Sequence, residues 1–230
     1  MSEHFLQGAP DVPLTLRRSG RARRISLRIS QLDGRVTLTL PNGVDEREAL
    51  AFARQKEDWI RSHLDQREED VPISIGCSVP VGGVPHVVVQ GTGRRVIIVD
   101  GQIAVPGDEA RMAARLQGHF KQMARARLVH ASDVYAERLG KTYARISIRD
   151  TRSRWGSCSS AGTLMYSWRL IMAPEQVLDY VAAHEVAHLA EMNHSPAYWA
   201  QVSRIFGDYK PARKWLRSHG NALHRYRFAA

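Results

Sequence analysis

Cysteine is nearly missing from this 230-residue chain, which has only Cys77 and Cys158, far apart in sequence. That excludes a disulfide framework and a four-cysteine metal site, so reduced thiols are expected. No apolar run approaches the roughly 20 residues needed to cross a bilayer. The opening Met1-Ser2-Glu3-His4-Phe5 lacks the basic-then-apolar order of a secretory signal. The expectation is a cytoplasmic globular protein with no membrane partner, its 43% apolar content sufficing for a buried core. Acidic residues are also short: 23 Asp and Glu stand against 33 Lys and Arg, a formal net charge of +10. Such a balance suits a nucleic acid or nucleotide partner held by the basic surface, and equally a surface that is merely soluble. There is no internal repeat or low-complexity tract, and nothing fixes an oligomeric state.

What is present falls into strands first and helices later. Residues 1–13 hold Gly8, Pro10 and Pro13 without periodicity and read as a loosely attached tail. Leu14 with Leu16, then Ile25, Leu27 and Ile29, then Val36, Leu38 and Leu40 alternate, predicting antiparallel strands with one wet face. Asp45 is placed to cap a helix carrying Ala49, Phe52, Ala53, Trp59, Ile60 and Leu64, with Trp59 in the core. From 71 to 105, apolar runs broken by Gly82-Gly83, Gly91-Thr92-Gly93 and Asp100-Gly101 predict successive hairpins. No Gly-Lys-Ser/Thr follows Gly91-Thr92-Gly93, so it is not a phosphate loop. Pro106-Gly107-Asp108 then opens a long helix that Gly140 closes. The shift marks a boundary between a β-rich region with one helix, 1–105, and a helix-rich core, 106–230, in an α+β chain.

The chemistry sits in that core. Strands are expected at 144–149 and from Thr163 to Leu170, with Arg154-Trp155-Gly156-Ser157-Cys158 between them as a tight turn whose backbone approaches something closely. Pro174-Glu175 starts a helix bearing His184-Glu185-Val186-Ala187-His188. Residues four apart share a helix face, so His184 and His188 can present imidazoles to one ion, with Glu185 beside them to act on water. His194 supplies a third ligand. The interval from His188 equals that of the extended metzincin motif, but Glu191 stands where that motif has glycine. The helix is therefore expected to run through Glu191 and break at Asn193 in a left-handed conformation, before Ser195 and Pro196 begin another helix. The ligand type points to Zn2+.

Three readings follow. In the first, a zinc metalloprotease cleaves peptide bonds of a peptide or protein substrate, Glu185 serving as general base for the attacking water. It predicts an open groove along an edge strand near Thr163 to Trp168. In the second, a metal-dependent hydrolase acts on a phosphoanhydride such as a nucleoside triphosphate, with Arg149, Arg152 and Arg154 converging on the metal as substrate-binding residues. In the third, a basic nucleic-acid-binding module carries structural zinc with Cys158 as fourth ligand. Glu191 is also a candidate for orienting a ligand histidine.

Along most of its length the chain resembles the YgjP-like metallopeptidases, relatives of the SprT-like zinc proteins in the zincin group. The residues carrying the resemblance are Trp59-Ile60, Arg154-Trp155-Gly156-Ser157-Cys158, Trp168-Arg169-Leu170, Leu178-Asp179-Tyr180-Val181, the His-Glu-x-x-His motif and Asn193-His194-Ser195-Pro196. The resemblance implies a zincin-like catalytic core in the second half, with a small sheet backing the active-site helix. It implies zinc on His184, His188 and His194, and Glu185 as the catalytic glutamate.

Overall fold

The computed structural model describes residues 3–30, 33–65 and 69–228. Met1 and Ser2, part of the expected tail, lie outside the described residues. The chain forms two compact units, Met1–Glu69 and Asp70–Ala230.

In the first unit β1 (Glu3–Leu6), β2 (Val12–Arg18), β3 (Ser26–Ile29) and β4 (Val36–Leu40) form a sheet in the order β1-β2-β4-β3. The alternation predicted from sequence buries Leu14, Leu16, Val36, Leu38 and Leu40 on one face. Four expectations change. Residues 3–6 are no tail, because β1 pairs antiparallel with β2 and buries Leu6 against Val12. The sheet is not wholly antiparallel: β2 and β4 run parallel, with β3 serving as the crossover and pairing antiparallel with the far edge of β4. The helical run divides at Lys56 into α1 (Glu46–Gln55), capped as expected by Asp45 accepting from the Arg47 N–H at 2.8 Å, and α2 (Glu57–Asp65). Ile60 takes the core position, and Trp59, one residue round the helix, is 43% exposed and packs on His63.

The second unit opens with β5 (Val71–Pro72), then β6 (Ser78–Val81), β7 (Val84–Gly91), β8 (Ile97–Val99) and β9 (Gln102–Pro106), followed by the 31-residue α3 (Glu109–Leu139). Gly140 ends α3 in the left-handed conformation, φ 70°. β6 to β9 form a sheet in the order β6-β7-β9-β8. Two of its contacts are antiparallel hairpins, and the central β7–β9 pair is parallel. Val79, Val88, Ile103 and Val105 of that sheet share one core with Met112, Leu116 and Phe120 of α3. The units therefore divide after Glu69, whereas the sequence suggested a boundary near 106.

Next come β10 (Arg145–Arg149), β11 (Gly156–Cys158), β12 (Thr163–Ser167), a 3-10 turn over Trp168–Met172, α4 (Glu175–Ala187), α5 (Pro196–Phe206), α6 (Lys210–His219) and β13 (Tyr226–Arg227). β12 is the central strand of its sheet, parallel to β10 and antiparallel to β11. The edge expected near Thr163 to Trp168 is therefore occupied on both sides, and β11 is an outer strand. The buried Arg169 guanidinium ties the end of the unit to its core. Nε and Nη2 donate to the two Asp150 carboxylate oxygens at 2.8 and 3.3 Å, and Nη1 donates to the carbonyls of Leu223 and Tyr226 at 3.0 and 3.1 Å. Among the described residues the chain is mixed α/β with six α-helices, and no helix is long and apolar enough to cross a membrane.

Candidate metal centre

The apolar positions of α4 set the site. Val177, Leu178, Val181, Val186 and the small Ala182, Ala183 and Ala187 are buried in the core of the second unit, leaving His184 and His188 one turn apart with ring centroids 5.2 Å from each other. The helix stops at Ala187, earlier than expected, with His188 as its C-cap. Leu189 N–H bonds to the Val186 carbonyl and Ala190 N–H to that of Ala187, so the chain tightens before Glu191. Asn193 is not left-handed; Asp100 is the single non-glycine residue at positive φ among those described. Beyond this turn Ser195 caps α5, accepting from the Tyr198 N–H at 3.3 Å, and Pro196 is its first residue, as predicted.

This turn returns His194 to the α4 histidines. Their ligand atoms lie within 4.8 Å of one another, a group that could hold a metal ion. The Nε2 atoms of His184 and His194 are 3.1 Å apart. Two nitrogens bound about 2.05 Å from a tetrahedral ion would be separated by roughly 3.3 Å, so the spacing fits shared ligation. His188 Nδ1 lies 3.0 Å from the Glu191 backbone carbonyl, which can only accept; Nδ1 therefore carries the proton and Nε2 keeps its lone pair. The main chain of Glu191, not its carboxylate, orients this ring. Burial, reinforced by His188, His194 and Arg213, pushes the His184 pKa down to about 3, and burial lowers His188 as well, so both rings are neutral, the form that binds metals.

Two aromatic residues that the sequence showed only as helix packing hold these rings. Tyr198, fully buried, stacks on His188 at 4.5 Å and donates its hydroxyl to the His184 carbonyl at 2.9 Å. Trp199 stacks on His194 at 5.7 Å, and Arg213 of α6 lies 4.5 Å from the Trp199 ring. Their signal was position, directly after Asn193-His194-Ser195-Pro196.

Glu185 is 5% exposed, and burial drives its pKa up to about 8 against the opposing charge of Arg154. Gly156 of β11 is the backbone that approaches it. A Cβ at Gly156 would stand 2.5 Å from Glu185 Oε1 and 2.6 Å from its Cγ, so a side chain there would displace the carboxylate. The tight-turn composition around Gly156 had anticipated a close approach without saying to what. Of the three arginines, Arg154 acts electrostatically on Glu185 and Arg152 on His224, and no described contact brings Arg149 to the histidines. Cys158 is not in the ligand group; burial and the charge of Glu185 push its thiol up to about 11, and Sγ donates to the Ser159 carbonyl at 3.4 Å.

A family model described as YgjP-like, metallopeptidase domain, matches residues 23–219. The chain belongs to the YgjP-like metallopeptidase family. Among solved structures, the metallopeptidase zymogen of Pyrococcus abyssi abylysin is similar at 23% identity and a TM-score of 0.36, over 45% of this YgjP-like chain and 97% of that one. No curated protein matches it. A metal-dependent protease is the activity to which family membership and the three-histidine group lend support.

Proposed function

We propose that this YgjP-like chain is a zinc peptidase with a zincin-like core, in which His184, His188 and His194 hold the ion and Glu185 is the general base. The observation that carries the reading is the convergence of three imidazole nitrogens within 4.8 Å beside a buried carboxylate. When bound, zinc supplies a Lewis acid that polarises a carbonyl and lowers the pKa of water. The Glu191 carbonyl fixes which nitrogen His188 offers, and Tyr198 stacks on the His188 ring and ties down the His184 main chain. Glu185, in its ionised form, takes a proton from the attacking water and returns it to the leaving amine.

The peptide class is favoured by β11. It is an outer strand of its sheet and carries Gly156 against Glu185, so an extended substrate adding to it would pass the general base. In this reading Arg154, whose charge acts on Glu185, stabilises developing negative charge, and Arg149 and Arg152 contact substrate farther from the ion. Metal content, hydrolysis of a peptide library and hydrolysis of a nucleotide panel, each compared with Glu185→Gln, test the reading. One zinc per chain in both proteins, with peptide hydrolysis falling by about 10²- to 10⁴-fold in the variant, is expected. Equal peptide hydrolysis by both proteins removes Glu185 as the base, and turnover of nucleotides in place of peptides removes the peptidase.

A further inference from the structure

The loop between β7 and β8 sets Arg94 and Arg95 along a cleft of about 520 Å3 whose helical side is α3, with Arg115 and His119 one turn apart and Gly118 and Gln122 beside them. None of these residues belongs to the metal centre. Among the described residues no carboxylate lines the cleft, and Arg94 and Arg95 make no ion pair or side-chain hydrogen bond. Arg115 is anchored: Nη1 donates to the Pro106 carbonyl at 3.1 Å, and its guanidinium lies against Gly107, leaving four of its five N–H donors uncommitted. Like charges gathered in a concave site without a counter-charge attract an anion from solution.

Gly118 adds a second observation. Glycine inside a helix sacrifices stability, and a Cβ at this position would meet nothing within 4 Å, so packing does not call for it. It lies where the helix borders the cleft, and its bare backbone lets an oxygen-rich ligand come close between Arg115 and His119. The cleft's apolar lining is Val96 and Pro106, with no Phe, Tyr or Trp ring to serve as a stacking platform for a base. Phosphate is therefore what the site recognises, and the chain's net charge of +10 suits a ligand with many of them. We infer that this cleft grips the phosphodiester backbone of nucleic acid without reading its sequence. The inference is independent of the peptidase reading.

Fluorescence anisotropy of a labelled duplex DNA, titrated with the full chain from 50 to 200 mM salt, tests it. Replacing Arg94, Arg95 and Arg115 together by alanine should flatten the plot of log affinity against log salt by about two to three, close to 0.9 per lost contact. Gly118→Leu should lose affinity and flatten the slope by about one, because it fills the cleft and keeps phosphate from Arg115. Unchanged thermal melting confirms that each variant is folded. A triple variant that binds like the parent overturns the inference, as does loss of binding only when Arg21, Arg23 and Arg24, exposed in the turn before β3, are replaced. Displacement of the DNA by ATP at equal phosphate concentration also overturns it, since the cleft would then be a nucleotide site.

Discussion

Around Arg169 the second unit satisfies a buried ionisable group, and around Glu185 it leaves one nearly bare. Arg169 directs four hydrogen bonds at Asp150 and two backbone carbonyls and lies over the Trp168 ring at 4.7 Å. Among the described residues Glu185 has no hydrogen bond, and the Gly156 backbone presses on it without providing a partner. A buried charge without partners raises the energy of the fold, so it persists where chemistry uses it. The first of these groups is structural, and the second is the one proposed as the base.

Opposite responses to removal should follow. Arg169→Ala leaves Asp150 and two carbonyls unpaired and should cost about 3 kcal/mol, the lower end for a broken buried pair because the Asp150 side chain is 39% exposed. Glu185→Gln should leave stability unchanged or raise it. Denaturant unfolding of both variants decides, and equal destabilisation would erase the contrast. Next in size is Gly156→Ala, whose methyl group pushes on Glu185; kcat should drop by about 10- to 100-fold while KM and metal content hold. Adding Glu185→Asp should recover part of that loss, because the shorter side chain withdraws from the methyl group. If the double variant is worse than both single ones, the contact does not position the base.

A smaller effect lies beside Arg169. Burial, then the charges of Arg169, Arg152 and Arg227 against the opposing Asp150, lowers His224 from 6.5 to about 4. The unfolded chain takes up this proton near pH 6.5 and the folded chain only near 4, so the stability due to neutral His224 is full above 6.5 and fades as pH falls toward 4. The melting temperature of the parent should therefore fall toward that of His224→Gln over this window; parallel curves would show that His224 is not held neutral. Least affected should be Glu191→Ala. Zinc affinity should change less than about twofold, because a carbonyl orients His188; a 10- to 100-fold loss would return that role to the carboxylate.

Features set by neighbours in sequence were legible without coordinates. His184 and His188 follow from helix period, Ser195-Pro196 from capping chemistry, Gly140 from its tolerance of positive φ, and the strands around Leu14 and Val36 from alternation. Features set by distant partners were not. Nothing local distinguishes the parallel β2–β4 pairing from an antiparallel one, and Trp59 and Ile60 are equally apolar until the helix is docked. Arg169 stood inside a family motif, but its work is done by Asp150, Leu223 and Tyr226. The main chain of Glu191 did what its side chain was expected to do, a role that residue identity does not encode.

β5 and β13 form a ladder of two residue pairs in which Val71 registers with Tyr226 and Pro72 with Arg227. The path through the second unit thus begins and ends at one doorway, which Arg169 latches from inside by holding the Tyr226 carbonyl. A unit with such a doorway is portable: spliced into a surface loop of a host protein, it would ask the host to open by little more than the width of two paired strands, about 5 Å.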